Sequence, residues 1–351
     1  MNRGYYICFG DVENAFQQAP PPTNQSYLEI DDTIYDWYLR KFGIKLNRLK
    51  DVIPLFKNLQ GLPESGALWE KMIEDILLNK MGFRNTTHER NLYIGVIDGN
   101  KVLVCRQVDD FASGAASEET AKKFIDLVRE HVNAEYAGMG IETSQGVYQR
   151  FNGLDVFQTR DYVKIGCESY IDRMLQTHGW DNPRRKDSHL SVPVSAATAE
   201  KLQTLEGPTE KSVEAKLLEK AHGFSYRNVL GELMCAYVIC HLDIGFAVCL
   251  LAQFSTAPHA EHFRALRTTV KCLRGMKSWG IIYVRPSPLA DLPVVPFQFL
   301  KEDPDLPTFP TMDRRELTGA LDAAHATDLR TRRSISGLLI FYCHAAITWK
   351  S

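Results

Sequence analysis

Hydrophobic and polar positions alternate with two different periods along this chain, and the changes of period mark out its elements. Tyr5 to Phe9 is a short apolar and aromatic run ending at Gly10-Asp11, the pattern of a buried strand followed by a turn. Pro20-Pro21-Pro22 ends whatever short helix follows. Between Glu64 and Met81, Leu68, Met72 and Ile76 recur at helical spacing, as do Trp69, Ile73 and Leu77, which predicts an amphipathic helix. Asn91 to Ile97 and Lys101 to Val108 are β-rich runs separated by Asp98-Gly99-Asn100, a strong hairpin signal. Ser117-Glu118-Glu119 then opens a helix with Ala121, Phe124, Ile125, Val128 and Val132 on its apolar face, the serine and early acids suiting its N-terminus.

Further on, Phe151 to Ile165 reads as another hairpin, whereas Glu168 to Trp180 and Tyr226 to Trp279 follow a helical pattern, with Pro258 at a turn between helices. Seven of the sixteen prolines fall between Pro286 and Pro310, which predicts a linker. Leu317 to Ser351 looks like strand, loop and strand, and its apolar ending, AAITWKS, suggests a domain cut short. No internal repeat is visible.

Composition narrows the classes. With 351 residues, 44% hydrophobic and 24% charged, the chain has room for two or three domains with real cores and is neither disordered nor collagen-like. No apolar run reaches the roughly 18 residues of a membrane span. The start, MNRGYYICFGDVENAF, lacks the features of a signal peptide, so the expected compartment is the cytoplasm or nucleus rather than the secretory route. Eight cysteines include no CxxC pair and sit mostly in apolar runs, as reduced, buried thiols do. Cys235, Cys240 and His241 come close in sequence, yet no second ligand pair has metal spacing, and core packing is the favoured reading. A net charge of −2 argues at first against a nucleic-acid partner.

The chemistry is carried by three acids. Asp11 closes the first apolar strand, and Asp109-Asp110 close the run from Lys101 to Val108. Adjacent aspartates at a strand end repel each other and resist desolvation, and a divalent cation relieves both costs through hard carboxylate oxygens. If the two strands are neighbours, the three acids suit a pair of metals about 3.5–4 Å apart, the arrangement that serves phosphoryl transfer. Two plainer readings stand beside this one: Asp11 as the N-cap of a helix from Val12 to Phe16, and Asp109-Asp110 as a solvated turn. A strand, helix and hairpin with acids at the strand ends is what a polymerase palm needs.

Asp11-Val12-Glu13-Asn14-Ala15-Phe16 resembles the first palm motif of copia-type LTR-retrotransposon reverse transcriptases, and the stretch from Leu59 to Trp69, LQGLPESGALW, resembles their next block. Gln107-Val108-Asp109-Asp110 looks like their Tyr-Val-Asp-Asp box. Phe151 to Val156 with Tyr170-Ile171 is similar to the strand-and-helix signature behind the palm, and Tyr226 to Met234 with His241 to Val248 resembles the helical region after it. Asp322 to Ala326 with Thr331 to Gly337 looks like the opening of their RNase H domain. The likeness runs from about residue 5 to residue 351, with its motifs in family order.

The resemblance implies an α+β chain: a reverse-transcriptase palm over residues 1–165 with most of the fingers missing, a helical thumb-like region over 166–285, a Pro-rich linker over 286–312, and a truncated RNase H-like α/β segment over 313–351. It also implies RNA-directed DNA polymerase chemistry on an RNA or DNA template-primer and deoxynucleoside triphosphates. Asp11, Asp109 and Asp110 are then the catalytic, metal-binding carboxylates for two Mg²⁺ ions, or Mn²⁺ in their place. Phe16 falls where such enzymes set an aromatic ring under the sugar to exclude a 2′-hydroxyl, with core packing as its plain alternative. Gly61 and Glu64 fall in the block lining the nucleotide path, or else form a helix N-terminal turn.

The sequence also departs from the pattern. Gln107 replaces the expected Tyr, and Glu64 stands where many relatives carry Gln. Only ten residues precede Asp11, and of the RNase H carboxylates only the first has a counterpart, Asp322, so RNase H activity is not expected of this chain. Basic clusters at Arg40, Lys41, Lys45, Arg48 and Lys50, at Arg184 to Lys186, and at Arg330, Arg332 and Arg333 read as solvated surface, some of it available to phosphates. A catalytically inactive, truncated remnant that at most binds nucleic acid is the alternative function. A structural protein acting through the helical region is a third.

Overall fold

The computed structural model describes residues 4–47, 49–181, 192–296, 317–324, 334–342 and 345–350. They divide into two compact units, one from Tyr5 to Gly140 and one from Ile141 onward. Among the described residues no helix is long and apolar enough to cross a membrane.

The first unit begins with β1 (Tyr6–Val12), followed by the short helix α1 (Ala15–Gln18). A small ribbon of β2 (Tyr27–Glu29) and β3 (Val52–Pro54) flanks α2 (Asp32–Phe42). Next come α3 (Ser65–Asp75), β4 (Arg84–Asn85), β5 (Leu92–Ile97), β6 (Asn100–Gln107), β7 (Asp110–Ala115), α4 (Glu118–Arg129) and β8 (Ala134–Gly138). Six strands form one antiparallel sheet in the order β4-β5-β6-β7-β1-β8.

Alternation sets one face of that sheet inward: Val102, Val104 and Arg106 on β6, and Phe111, Ser113 and Ala115 on β7, are buried. Helix α4 packs over this sheet with Ala121, Phe124, Ile125 and Val128 fully buried, each of the large ones contributing about 1.5–3 kcal/mol of burial. Its N-cap is Ser117, whose side chain accepts from the Thr120 amide, as the sequence predicts. Asp98 and Gly99 both take positive φ, 50° and 76°, the turn expected between β5 and β6. The helix predicted from Glu64 to Met81 is α-helical only to Asp75; Ile76–Lys80 widens into a π-turn that still buries Ile76 and Leu77.

Two elements differ from the sequence reading. Strand β7 escapes a periodicity search because Ala112, Ser113, Gly114 and Ala115 are small. Asp109 thus lies in the turn that closes β6, as the sequence reading has it, whereas Asp110 opens a further strand, with Gln107 pairing Asp110 across the hairpin. The second difference is the boundary near residue 165. Strands β9 (Ile141–Thr143), β10 (Gly146–Phe151), β11 (Leu154–Gln158) and β12 (Tyr162–Gly166) pair successively with one another, and β12 pairs with β13 (Gly280–Val284). This five-stranded sheet draws residues 141–165 into the second unit.

The second unit continues with α5 (Glu168–Thr177), α6 (Ala196–Gln203), α7 (Val213–His222), α8 (Tyr226–Ile239), a 3-10 turn (Leu242–Ile244), α9 (Gly245–Ala252) and α10 (Ala260–Met276). Their apolar faces form one core with Ile171, Leu233, Val248, Phe263 and Leu266 at its centre. The expected helical region is therefore present. The C-terminal stretch is three antiparallel strands, β14 (Leu317–Ala324), β15 (Ile335–Tyr342) and β16 (Ala345–Lys350), with no helix among its described residues. Most of the Pro-rich linker, Arg48, the Arg184 cluster and the Arg330 cluster lie outside the described residues.

Candidate active site

Strand register brings the acids together. Asp11 on β1 lies directly opposite Asp110, the first residue of β7, and the Val12 amide donates to the Asp109 carbonyl at 3.1 Å. Asp11 also faces Glu135 on β8. Asp11 is exposed, while Asp109 and Asp110 are half-buried. Partial desolvation and then the negative charge of Asp109 raise the Asp11 carboxyl above its ordinary value, against a smaller lowering by the Val12 amide. Val12 is still in the strand, and α1 starts at Ala15 with Asn14 as its N-cap, so Asp11 does not cap a helix.

The hairpin that carries Asp109 is strained and held. Val108, its first turn residue, has φ of 57°, a left-handed conformation that a β-branched residue rarely adopts. Its carbonyl accepts two side-chain hydrogen bonds, from the Trp69 indole at 2.9 Å and from the Arg106 guanidinium at 3.0 Å. Trp69 is buried on α3, and Arg106 is buried on β6, where it also bonds Glu70 at 2.5 Å and Asn91 at 2.8 Å. Helix α3 thus fixes the turn from outside the sheet. Sequence reasoning placed Trp69 on an apolar face and at the end of the Leu59–Trp69 block, and missed Arg106; a lone arginine in a strand of valines and leucines is the signal that points to it.

Gly10 was read only as a turn residue. A Cβ there would meet Ile125 Cδ1 at 2.5 Å and the Glu135 carbonyl at 3.0 Å, so the close approach of α4 and β8 to β1 requires glycine immediately before Asp11.

Phe16, on α1, is half-buried and packs against the core of this unit, which favours its packing role and leaves part of the ring accessible. Gly61 has φ of 97° with open space where a side chain would be, in the turn closed by the Leu62 amide and the Leu59 carbonyl. Glu64, at the N-terminus of α3, is half-buried; it accepts from the Thr23 amide at 3.0 Å and from Asn24 at 3.1 Å, and these bonds lower its pKa. Asp322 is exposed on β14 opposite Gly337. It belongs to the second unit and is not among the acids that β1 and β7 assemble. Of the first basic cluster, Arg40 and Lys41 lie in the last turn of α2, beside exposed Trp37 and Phe42, with the Lys41 ammonium 4.9 Å from the Trp37 ring centre.

The donor set of Asp11, Asp109 and Asp110 is all carboxylate oxygen, and their mutual repulsion is what a hard divalent cation relieves. By donor chemistry such a cation suits these residues; among the described residues, though, the ligand atoms drawn within 4.8 Å of one another are those of Cys167, Cys240 and His241, not of the three aspartates. Soft ligands are absent from this cluster.

Residues 23–188 match the family described as reverse transcriptase (RNA-dependent DNA polymerase). Gly61, Glu64, Asp109 and Asp110 lie within that match, with Asp11 and Phe16 ahead of it. The chain is 26% identical over 178 residues, half of its length, to the Transposon Ty1-MR1 Gag-Pol polyprotein of Saccharomyces cerevisiae, 9% of which is covered. It is 22% identical over 303 residues, 86% of its length, to the Retrovirus-related Pol polyprotein from transposon TNT 1-94 of Nicotiana tabacum, 19% of which is covered. It therefore spans about a fifth or less of these curated relatives.

Proposed function

We propose that the chain, whose residues 23–188 match the reverse transcriptase family and which is similar to copia-type and Ty1 Gag-Pol polyproteins, catalyses, or is built to catalyse, RNA-directed DNA synthesis. The reaction joins a primer 3′-hydroxyl to the α-phosphate of a deoxynucleoside triphosphate and releases pyrophosphate. Asp11, Asp109 and Asp110 are the residues that hold divalent cations of the Mg²⁺ class. When bound, two such cations stabilise charge on the attacking and leaving oxygens.

The chain's own contribution is positioning. The Val108 turn, clamped by Trp69 and Arg106, presents Asp109 without freedom to swing away. Phe16 supplies a flat edge against a 2′-hydroxyl, and Gly61 leaves the backbone of its loop open to a substrate. Glu64 ties the start of α3 to Thr23 and Asn24. Arg40 and Lys41 offer phosphate contacts that position a template-primer without reading its sequence.

One observation carries this reading: the cross-strand register that sets Asp11 against Asp110, next to a strained turn bearing Asp109. It is tested by primer extension with Mg²⁺, comparing the chain with its Asp109→Asn variant. Incorporation by the chain and its collapse in the variant support the proposal; equal or absent incorporation in both overturns it for this chain. Salt-dependent binding of template-primer without incorporation would point instead to a non-catalytic nucleic-acid binder.

A further inference from the structure

The second unit holds a cluster that nucleotidyl transfer does not use. Cys167 ends the β12–α5 connection, Cys240 follows the last turn of α8, and His241 precedes the 3-10 turn. One ligand atom from each of the three lies within 4.8 Å of the others, and all three side chains are buried, at 0%, 5% and 1% exposure. No disulfide joins the thiols, whose sulfurs are 3.6 Å apart.

Three features of the geometry suit a metal better than packing. First, a tetrahedral centre with metal–sulfur bonds of about 2.3 Å sets its sulfurs about 3.8 Å apart, against about 2.05 Å in a disulfide. The observed 3.6 Å, at which the Cys240 thiol donates to Cys167, excludes a disulfide and is close to the spacing a shared metal would set. Second, His241 Nδ1 is bonded to Asp243 at 3.1 Å, which leaves Nε2 as the ring's free ligand atom. Buried Nε2 has no well-aligned hydrogen-bond partner among the described residues, and the polar group the imidazole interacts with besides Asp243 is the Cys167 thiol. Third, a carboxylate on the far nitrogen of a histidine is the usual orienting partner of a metal-bound imidazole. Two thiolates also neutralise a divalent cation, so the centre carries no net charge into the core.

We propose that Cys167, Cys240 and His241 form a buried site for one thiophilic divalent cation of the zinc class. Sulfur and imidazole donors select such a cation over the hard ions that suit the aspartates of the first unit. The ion clamps the start of α5 to the junction of α8 and α9, joining segments 73 residues apart in sequence. Asp155, buried on β11, also holds the start of α5: it accepts from the Tyr148 hydroxyl at 2.9 Å and the Ser169 amide at 2.8 Å.

The full chain, purified under reducing conditions, is titrated with Co²⁺ and Zn²⁺ and its metal content measured. The proposal expects stoichiometric uptake, thiolate-to-cobalt charge-transfer absorption, and loss of both in Cys167→Ser and Cys240→Ser. Cys235→Ser, at an exposed cysteine of α8, keeps them. Because the two core variants can fail to fold, a second measurement uses the unaltered chain. A thiophilic chelator lowers its melting temperature, and Zn²⁺ restores it where Mg²⁺ does not. Absence of stoichiometric uptake, cobalt spectra without thiolate bands, binding unchanged in Cys167→Ser, or a melting temperature indifferent to the chelator would each overturn the proposal.

Discussion

The two units handle costly polar groups in opposite ways. The first gathers three carboxylates around one hairpin, sets the charge of Asp109 against Asp11, and places buried groups such as Trp69 and Arg106 to hold the turn that carries one of them. The second buries two thiols and an imidazole among apolar helices and satisfies only one nitrogen of the ring. On the two proposed readings, exposure and donor hardness go together: accessible oxygen suits a cation that meets substrate, enclosed sulfur and nitrogen one that meets only protein. Under the proposed function the first arrangement serves chemistry, and under the proposed metal site the second serves structure.

The largest expected effect breaks or confirms the first half of that contrast. Asp109→Asn should lower primer extension by about 10²–10³-fold, the scale on which loss of one preorganised charge-stabilising group registers. It should leave the urea midpoint unchanged or slightly higher, since it removes the charge that raises the Asp11 carboxyl. A variant that instead loses stability would mean that the aspartates are structural, and the distinction between the units would fail.

Next comes the clamp. Arg106→Met keeps much of the buried volume while removing the bonds to the Val108 carbonyl, Glu70 and Asn91. Loss of charged hydrogen bonds of this kind costs about 1.5–3 kcal/mol, read as a lower urea midpoint. Primer extension should also fall, through kcat rather than KM, because the turn bearing Asp109 loses a donor while the carboxylates remain. A comparable cost follows from crowding. Gly10→Ala pushes a methyl into Ile125 and should destabilise the first unit by about 1–3 kcal/mol. Ile125→Ala removes the obstructing atom, so the double variant should cost less than the sum of the two singles, a coupling that a double-mutant cycle measures. Simple additivity would show that α4 does not press on β1.

Much of this was legible in the sequence, for local reasons. The helical spacing of Trp69, Ile73 and Leu77, the Asp98-Gly99 turn and the Ser117 cap are signals contained within a few residues, and each element forms where they point. Asp11 and Asp109-Asp110 stood out because acids beside apolar strands are costly. What stayed hidden depends on pairing between distant segments. The small residues of β7 carry no periodicity, so the hairpin around Asp109 could not be read. The sheet that claims residues 141–165 is completed by β13, far along the chain. Cys240-His241 looked like core because its third member, Cys167, arrives through the fold alone, while nearby Cys235 points outward.

The smallest effect compares the two units through their titrations. Asp11 has its carboxyl raised above the ordinary 3.8, so folding takes up protons there and stability falls as pH rises through that window. His222 has the reverse sign. Burial first, then the positive charges of Arg264 and Arg267, hold its pKa below the ordinary 6.5, and its ring stacks on Phe263 at 4.6 Å. The unfolded chain therefore binds the proton more readily, and stability from His222 is present above that ordinary value and lost as pH falls through the lowered one. His222→Phe should keep the stacking and flatten the fall in unfolding midpoint between about pH 7 and pH 5, the range in which histidine titrates. Asp11→Asn should leave that range untouched and alter the profile only in the carboxylate range. Identical slopes in His222→Phe and the unaltered chain would show that neither burial nor the two arginines lowers the imidazole pKa, and the opposition in sign between the units would be lost.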